Sequence, residues 1–241
     1  MSSCSSDLHI FDDPESYYPT DPESTLFNFS YKSFSLNNIS CLGEAPLWGH
    51  VVSNAARYLC HKFIDYVFPV SNCTILELGS GHGLVGMVAS LMGAKQVVLT
   101  DYPDEDLVAN LALNRDTHLN STNSLVLPLK WGSYSSFPLN EVFDIIIASD
   151  LVFNHSCHHE LAETISHFLK PTTGVCYFAF SHHRPPLVDK DISFFSILSD
   201  YDLQFELIEK DESFRPLWEH DSKYGYSDEV RGPVHCYKIW K

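Results

Sequence analysis

From residue 45 onward, apolar positions recur in two periods that alternate along the chain. Leu47, Val51, Ala55, Leu59 and Phe63 return every fourth residue and Pro46 suits a first turn, which predicts a helix over 46–67. The run CTILEL at 73–78 stops at glycines and is followed by a helix-sized apolar stretch, 84–92, so the chain reads strand, glycine turn, helix. QVVLT at 96–100 is a second strand ending in Asp101. Asp104, Glu105 and Asp106 open a second helix, acidic in its first turn as the helix dipole prefers, with Leu107, Val108 and Leu111 facing inward. A third strand, 124–129, is weakened by Pro128, and a fourth, 143–149, is apolar enough to lie in mid-sheet. A helix over 156–169, a strand over 174–180 and a helix over 189–199 follow. Two last strands, 202–210 and 234–241, end the chain.

Strands that alternate with helices predict an α/β fold: a Rossmann-like, doubly wound sheet of seven strands, mostly parallel, with an antiparallel hairpin at its C-terminal edge. The expected organisation is a single domain over 45–241 behind an N-terminal arm, 1–44. Residues 1–31 carry six carboxylates, three prolines and no Lys or Arg, the composition of a tail rather than of a strand or helix. Phe11, Tyr17, Tyr18, Phe27, Phe29 and Tyr31 give it more aromatic surface than an inert tail needs, so a fold-over role at the substrate groove is a second expectation.

Charge narrows the partners. With 31 acidic and 15 basic residues the formal net charge is −16. That argues against nucleic acid, which is bound by Lys and Arg, and favours a basic protein or a cationic small molecule. No apolar run approaches the roughly 18 to 20 residues that span a bilayer. The N-terminus has neither a basic n-region nor an apolar h-region, and seven scattered cysteines fit reduced thiols, so a cytoplasmic, soluble monomer without membrane contact is expected.

The stretch ILELGSGHGLVG, 75–86, can be parsed in two ways. Gly81, Gly83 and Gly86 spell G-x-G-x-x-G, the dinucleotide pattern; Glu77 with Gly79, Gly81 and Gly83 spells E-x-G-x-G-x-G, expected around S-adenosyl-L-methionine. Gly79 directly follows the apolar strand, whereas Gly81 comes two residues late. Glu77 would repel a pyrophosphate and attract a sulfonium with its α-ammonium. No chain remains for the separate substrate domain a dehydrogenase needs. The methyl donor is therefore the expected cofactor, and Gly86 a small residue packed on the sheet. Asp101, 20 residues past Gly81, is placed to accept both hydroxyls of an adenosine ribose.

Pro46-Leu47-Trp48-Gly49, Glu77 to Gly83, Thr100-Asp-Tyr-Pro-Asp104, Trp131-Gly132 and Ser149-Asp-Leu-Val-Phe-Asn-His155 together resemble the class I methyltransferases, in particular the seven-strand branch that methylates lysines of non-histone proteins. With Ser181-His-His-Arg-Pro185 added, the chain is similar to fungal enzymes acting on the N-terminal amine and an adjacent lysine of translation elongation factor 1-alpha. The resemblance implies that Trp48, Glu77, Gly79, Ser80, Gly81 and Gly83 line the methionine and ribose side of the cofactor, Asp101 the ribose, Tyr102 and Trp131 the adenine, and that Ser149 closes the pocket. It implies that Asp150 and Phe153 stand beside the methyl acceptor, Phe153 replacing a tyrosine frequent among relatives. Asn154, His155, His182, His183 and Arg184 are the expected substrate contacts, and the elongation factor the expected basic partner.

On this reading Asp150 attracts and orients the acceptor ammonium while water or a histidine takes its proton. His155, His158 and His159 fall near one helix face, but nothing nearby completes a tetrahedral site and methyl transfer needs no Lewis acid, so no metal is expected. Two other functions fit the same sequence: a small-molecule N-methyltransferase of the nicotinamide type, and a catalytically silent binding module that keeps the fold.

Overall fold

The computed structural model describes residues 24–43, 52–119, 123–135, 137–217 and 227–241. The chain starts there with an antiparallel hairpin, β1 (Thr25–Tyr31) and β2 (Phe34–Cys41). Composition summed over 31 residues predicted a tail through Tyr31, yet a strand begins at Thr25. Phe27, Phe29 and Tyr31 alternate with polar residues in the period of a strand, a local signal that averaging with the acidic stretch before it erased. Residues 1–23 lie outside the described residues. Phe29, Leu36, Ile39 and Cys41 are buried in the same core as strand residues Ile75 and Val97.

Helix α1 (Asn54–Ile64) is capped by Ser53, whose hydroxyl accepts from the Ala56 amide at 3.0 Å. It ends three residues short of the expected Val67, because Tyr66 adopts φ 56° and turns the chain out of the helix. The first six residues of the predicted helix, 46–51, lie outside the described residues. Tyr31 of the hairpin stacks on His61 of α1 with ring centroids 3.8 Å apart, and its hydroxyl donates to Asp65 at 2.8 Å.

The rest alternates: β3 (Thr74–Leu78), α2 (Leu84–Leu91), β4 (Gln96–Asp101), α3 (Glu105–His118), β5 (Ser124–Pro128), β6 (Ile145–Ser149), α4 (His158–Phe168), β7 (Val175–Phe180), α5 (Val188–Ser196), β8 (Gln204–Asp211), the short α6 (Asp228–Arg231) and β9 (Val234–Trp240). One sheet has the order β5-β4-β3-β6-β7-β9-β8. Its first five strands are mutually parallel, and β9 runs antiparallel to both β7 and β8. Pro128 is tolerated because β5 is the edge strand. β6 pairs on both sides and reads Ile-Ile-Ile-Ala-Ser, buried through Ala148.

Side chains alternate across the sheet, so β3 sends Ile75 to the core under α1 and α2, and Leu76 and Leu78 to the core under α4 and α5. Each fully buried aliphatic side chain contributes about 1.5–3 kcal/mol of burial energy. The winding reverses between β3 and β6, and the crevice outside their carboxyl ends is where such sheets bind ligands. Among the described residues no helix is long and apolar enough to cross a membrane.

Candidate functional site

The first wall of the crevice is the loop after β3. Gly79, Gly81 and Gly83 all have left-handed backbones, φ 58°, 55° and 80°, which side-chain-bearing residues adopt only at a cost. A Cβ on Gly79 would also stand 2.6 Å from Cδ2 of Leu151, in the segment after β6, so the two walls approach to the limit that glycine allows. Ser80, 7% exposed, is turned back into the strands: its amide donates to the Thr100 carbonyl at 2.9 Å and its hydroxyl accepts from the Thr100 amide at 3.1 Å.

Asp101 ends β4 beside this loop. Its Oδ2 accepts the Gly81 amide at 2.6 Å and its Oδ1 the Tyr102 amide at 2.7 Å. Burial pushes the carboxyl pKa up, and the two amides pull it back. Each oxygen keeps a further lone pair, which is the donor–acceptor complement of a ribose diol. Tyr102, directly after Asp101, is exposed, and Trp131 packs half-buried against the α4 side of the core.

Glu77 departs from the electrostatic role expected of it. The side chain is 1% exposed, its Oε2 accepts the Gly86 amide at 3.0 Å and its Oε1 has no hydrogen-bond partner. Burial drives its pKa to about 8, so at pH 7 the group is mostly neutral and holds α2 under the loop instead of drawing in a cation. Gly86 is fixed by space: a Cβ there would meet Leu99 Cδ2 at 2.2 Å and Glu77 Oε2 at 2.6 Å.

The second wall follows β6 and β7. Asp150 has φ 64°, a left-handed backbone in a residue with a side chain. Such strain persists only where neighbours over-determine it. Here the Asp150 amide donates to the Ala179 carbonyl at 2.7 Å, Oδ1 accepts the Ser181 amide at 3.4 Å, and Oδ2 lies 2.8 Å from His183 Nε2. Asp150 and His183 are 12% and 17% exposed. Burial opposes the charge on His183, yet the adjacent Asp150 outweighs it and raises the imidazole pKa. Ser149 and Phe153 are half-buried next to Asp150, and Asn154 is buried with its Oδ1 accepting from Ser156.

His155 and His182 both turn toward Asp191 on α5, at 2.7 and 2.8 Å. Arg184 opens the turn that leads into α5. Trp48 lies outside the described residues. Asp191 escaped the sequence reading because an aspartate in a first helical turn looks like an ordinary dipole partner. Asn114 escaped it too: its side chain bonds both the His82 carbonyl in the glycine loop and Ser40 of β2, tying the hairpin to the first wall. Among the described residues no group of three or more His, Cys, Asp or Glu is placed to hold a metal ion.

The lysine methyltransferase family matches residues 45–201. A Candida glabrata relative, protein N-terminal and lysine N-methyltransferase EFM7, is 36% identical, with 95% of this chain and 94% of the relative covered. The Schizosaccharomyces pombe protein of the same name is 34% identical, with 95% and 94% covered. Among solved structures, the TehB-like SAM-dependent methyltransferase of Corynebacterium glutamicum shares the fold at TM-score 0.52 and 16% identity, covering 76% of this chain and 87% of that one. SMU.776, solved "complexed with SAH", does so at TM-score 0.59 and 15% identity, covering 90% and 56%.

Fold and site together define a Rossmann-like methyltransferase that uses S-adenosylmethionine. The chain belongs to the lysine methyltransferase family.

Proposed function

We propose that this enzyme methylates the N-terminal amine and an adjacent lysine of translation elongation factor 1-alpha, in the cytoplasm and as a monomer. The observation that carries the reading is the Asp150–His183 pair on the wall opposite the glycine loop. Net charge of −16 suits a basic acceptor, and the relatives' names give the same pair of acceptor groups for those proteins.

Gly79, Gly81, Gly83 and Asp101 would hold the cofactor, with Tyr102 and Trp131 toward its adenine side. S-adenosylmethionine supplies a methyl carbon bonded to a sulfonium, whose electrons stay with sulfur as a neutral thioether. Everything else is asked of the acceptor, which must arrive as a neutral amine about 3–3.5 Å from that carbon. Deprotonation at pH 7 costs about 1.4 kcal/mol for a terminal amine and about 4.6 kcal/mol for a lysine. Asp150 attracts and orients the ammonium, and the proton passes to the His183 imidazole, whose charged form Asp150 stabilises. The role of Asp150 and His183 is thus complete once the amine is neutral and aimed, its lone pair free for the methyl group that the donor would supply.

Incubation with isotopically labelled methyl donor tests this. Label is expected in the N-terminal peptide of elongation factor 1-alpha and on the lysine beside it, and an N-terminally acetylated factor should retain only lysine label. Label in nicotinamide with none in the factor would overturn the assignment.

A further inference from the structure

Asp191 is 4% exposed and spends both carboxylate oxygens on histidines from different segments. Oδ1 is 2.7 Å from Nε2 of His155, in the turn after β6, and Oδ2 is 2.8 Å from Nδ1 of His182, at the end of β7. His182 directly precedes His183, and His155 lies five residues past Asp150 on the strap that leaves β6. Further contacts converge on the same place. His158 donates from Nε2 to the Val152 carbonyl at 2.7 Å, and its ring meets Phe194 of α5 edge-on at 5.3 Å. His235 of β9 covers the His182 ring at 4.9 Å. Burial drives the His235 pKa to about 4, so it stays neutral and adds no charge to the cluster at pH 7.

A buried carboxylate that accepts from two rings is a fixed point, since moving either ring strands an anion. We propose that Asp191 is a positioning residue: by clamping His155 and His182 it locks the segments after β6 and β7 together and so sets the aim of the Asp150–His183 pair at the acceptor amine. This rests on the methyl-transfer reading above and goes beyond it, because Asp191 is 4% exposed with both carboxylate oxygens on histidines and acts through them. It also assigns His155 and His182 to the clamp in place of direct substrate contact.

The test is Asp191→Asn, which keeps the shape and removes the charge that holds two donors. A fall in kcat of about ten- to a hundredfold is expected, the scale on which misplaced reacting groups lose rate. The dissociation constant for S-adenosylmethionine should stay within about twofold, since the clamp joins the segments after β6 and β7 and leaves the glycine loop and Asp101 unchanged. His155→Leu should lose a similar factor, and the double variant no more than either single one, as for residues that act as a unit. Wild-type kcat in Asp191→Asn, or additive losses, would overturn the proposal. Should Asp191→Asn fail to fold, histidine NMR of the wild type decides. On addition of acceptor peptide the His183 ring signals should shift, while His155 and His182 keep slowly exchanging ring N–H protons bonded to Asp191. Freely exchanging rings, or His155 and His182 signals that follow the peptide, would refute the clamp. A wild-type enzyme that methylates no amine at all would instead refute the function proposed above.

Discussion

The two walls of the crevice are built by different means. The wall after β3 and β4 is backbone: three left-handed glycines and two amides that point at Asp101. The wall after β6 and β7 is side chain: Asp150 with His183, and Asp191 with His155 and His182. A donor common to many reactions can be held by geometry that depends on little beyond glycine. An acceptor amine that must lose a proton needs groups that charge and discharge, and these have to be held in register by other ionised groups. The glycines of the first wall carry no titrating group, and its two carboxyls, Asp101 and the Glu77 hidden beneath it, are both raised by burial, whereas the second wall is made of titrating side chains throughout.

Glu77 gives the largest expected effect. It has a folded pKa of about 8 against an ordinary value of 4.5. Folding therefore favours its protonated form, so its contribution is complete below pH 4.5 and is lost as pH rises toward 8. The loss is at most about 5 kcal/mol, from about 1.4 kcal/mol per pKa unit. Denaturant unfolding of wild type and Glu77→Gln at pH 5 and pH 8 should show the variant gaining relative stability at pH 8; parallel pH dependences would contradict a buried, neutral Glu77.

Next comes the second wall. Asp150→Asn should lower kcat about a hundredfold or more, the range for a displaced acid–base group, with the loss measured at saturating donor and acceptor. Gly79→Ala breaks the first wall instead. Its φ of 58° and a methyl 2.6 Å from Leu151 combine strain and overpacking, which cost about 1–3 kcal/mol in stability. Calorimetric affinity for S-adenosylmethionine should fall about tenfold or more, each tenfold being about 1.4 kcal/mol. The smallest effect is a change of profile. Because the His183 pKa is raised, its neutral form accumulates only above the ordinary 6.5, so kcat should climb with pH through a limb displaced upward. The same group stabilises the fold fully below 6.5 and loses that contribution as pH rises through the raised value. In His183→Gln the displaced limb should vanish, leaving the titration of the acceptor amine.

The first wall was far more legible in sequence than the second. Glycine at 79, 81 and 83 is readable because no other residue takes a left-handed backbone so cheaply, and Asp101 because it ends a run of strand period. All seven strands of the main sheet were legible for the same reason, their apolar runs being short and bounded by helical repeats or by polar loops. The hairpin of β1 and β2 was hidden by an acidic stretch that dominated the average composition. Tyr66 shortened α1 through a backbone angle that a tyrosine does not advertise. On the second wall the residue types were visible but their partners were not: the bond from His183 to Asp150 spans 33 residues and that from His155 to Asp191 spans 36, so only the parallel pairing of β6 with β7, and the return of α5 behind them, brings them together.

The division of labour between the walls is tested most directly by titrating S-adenosylmethionine into Asp150→Asn. The account predicts a dissociation constant within about twofold of wild type, because the substitution leaves the glycine loop and the Asp101 contacts in place. Loss of donor binding on the scale caused by Asp101→Ala would contradict it.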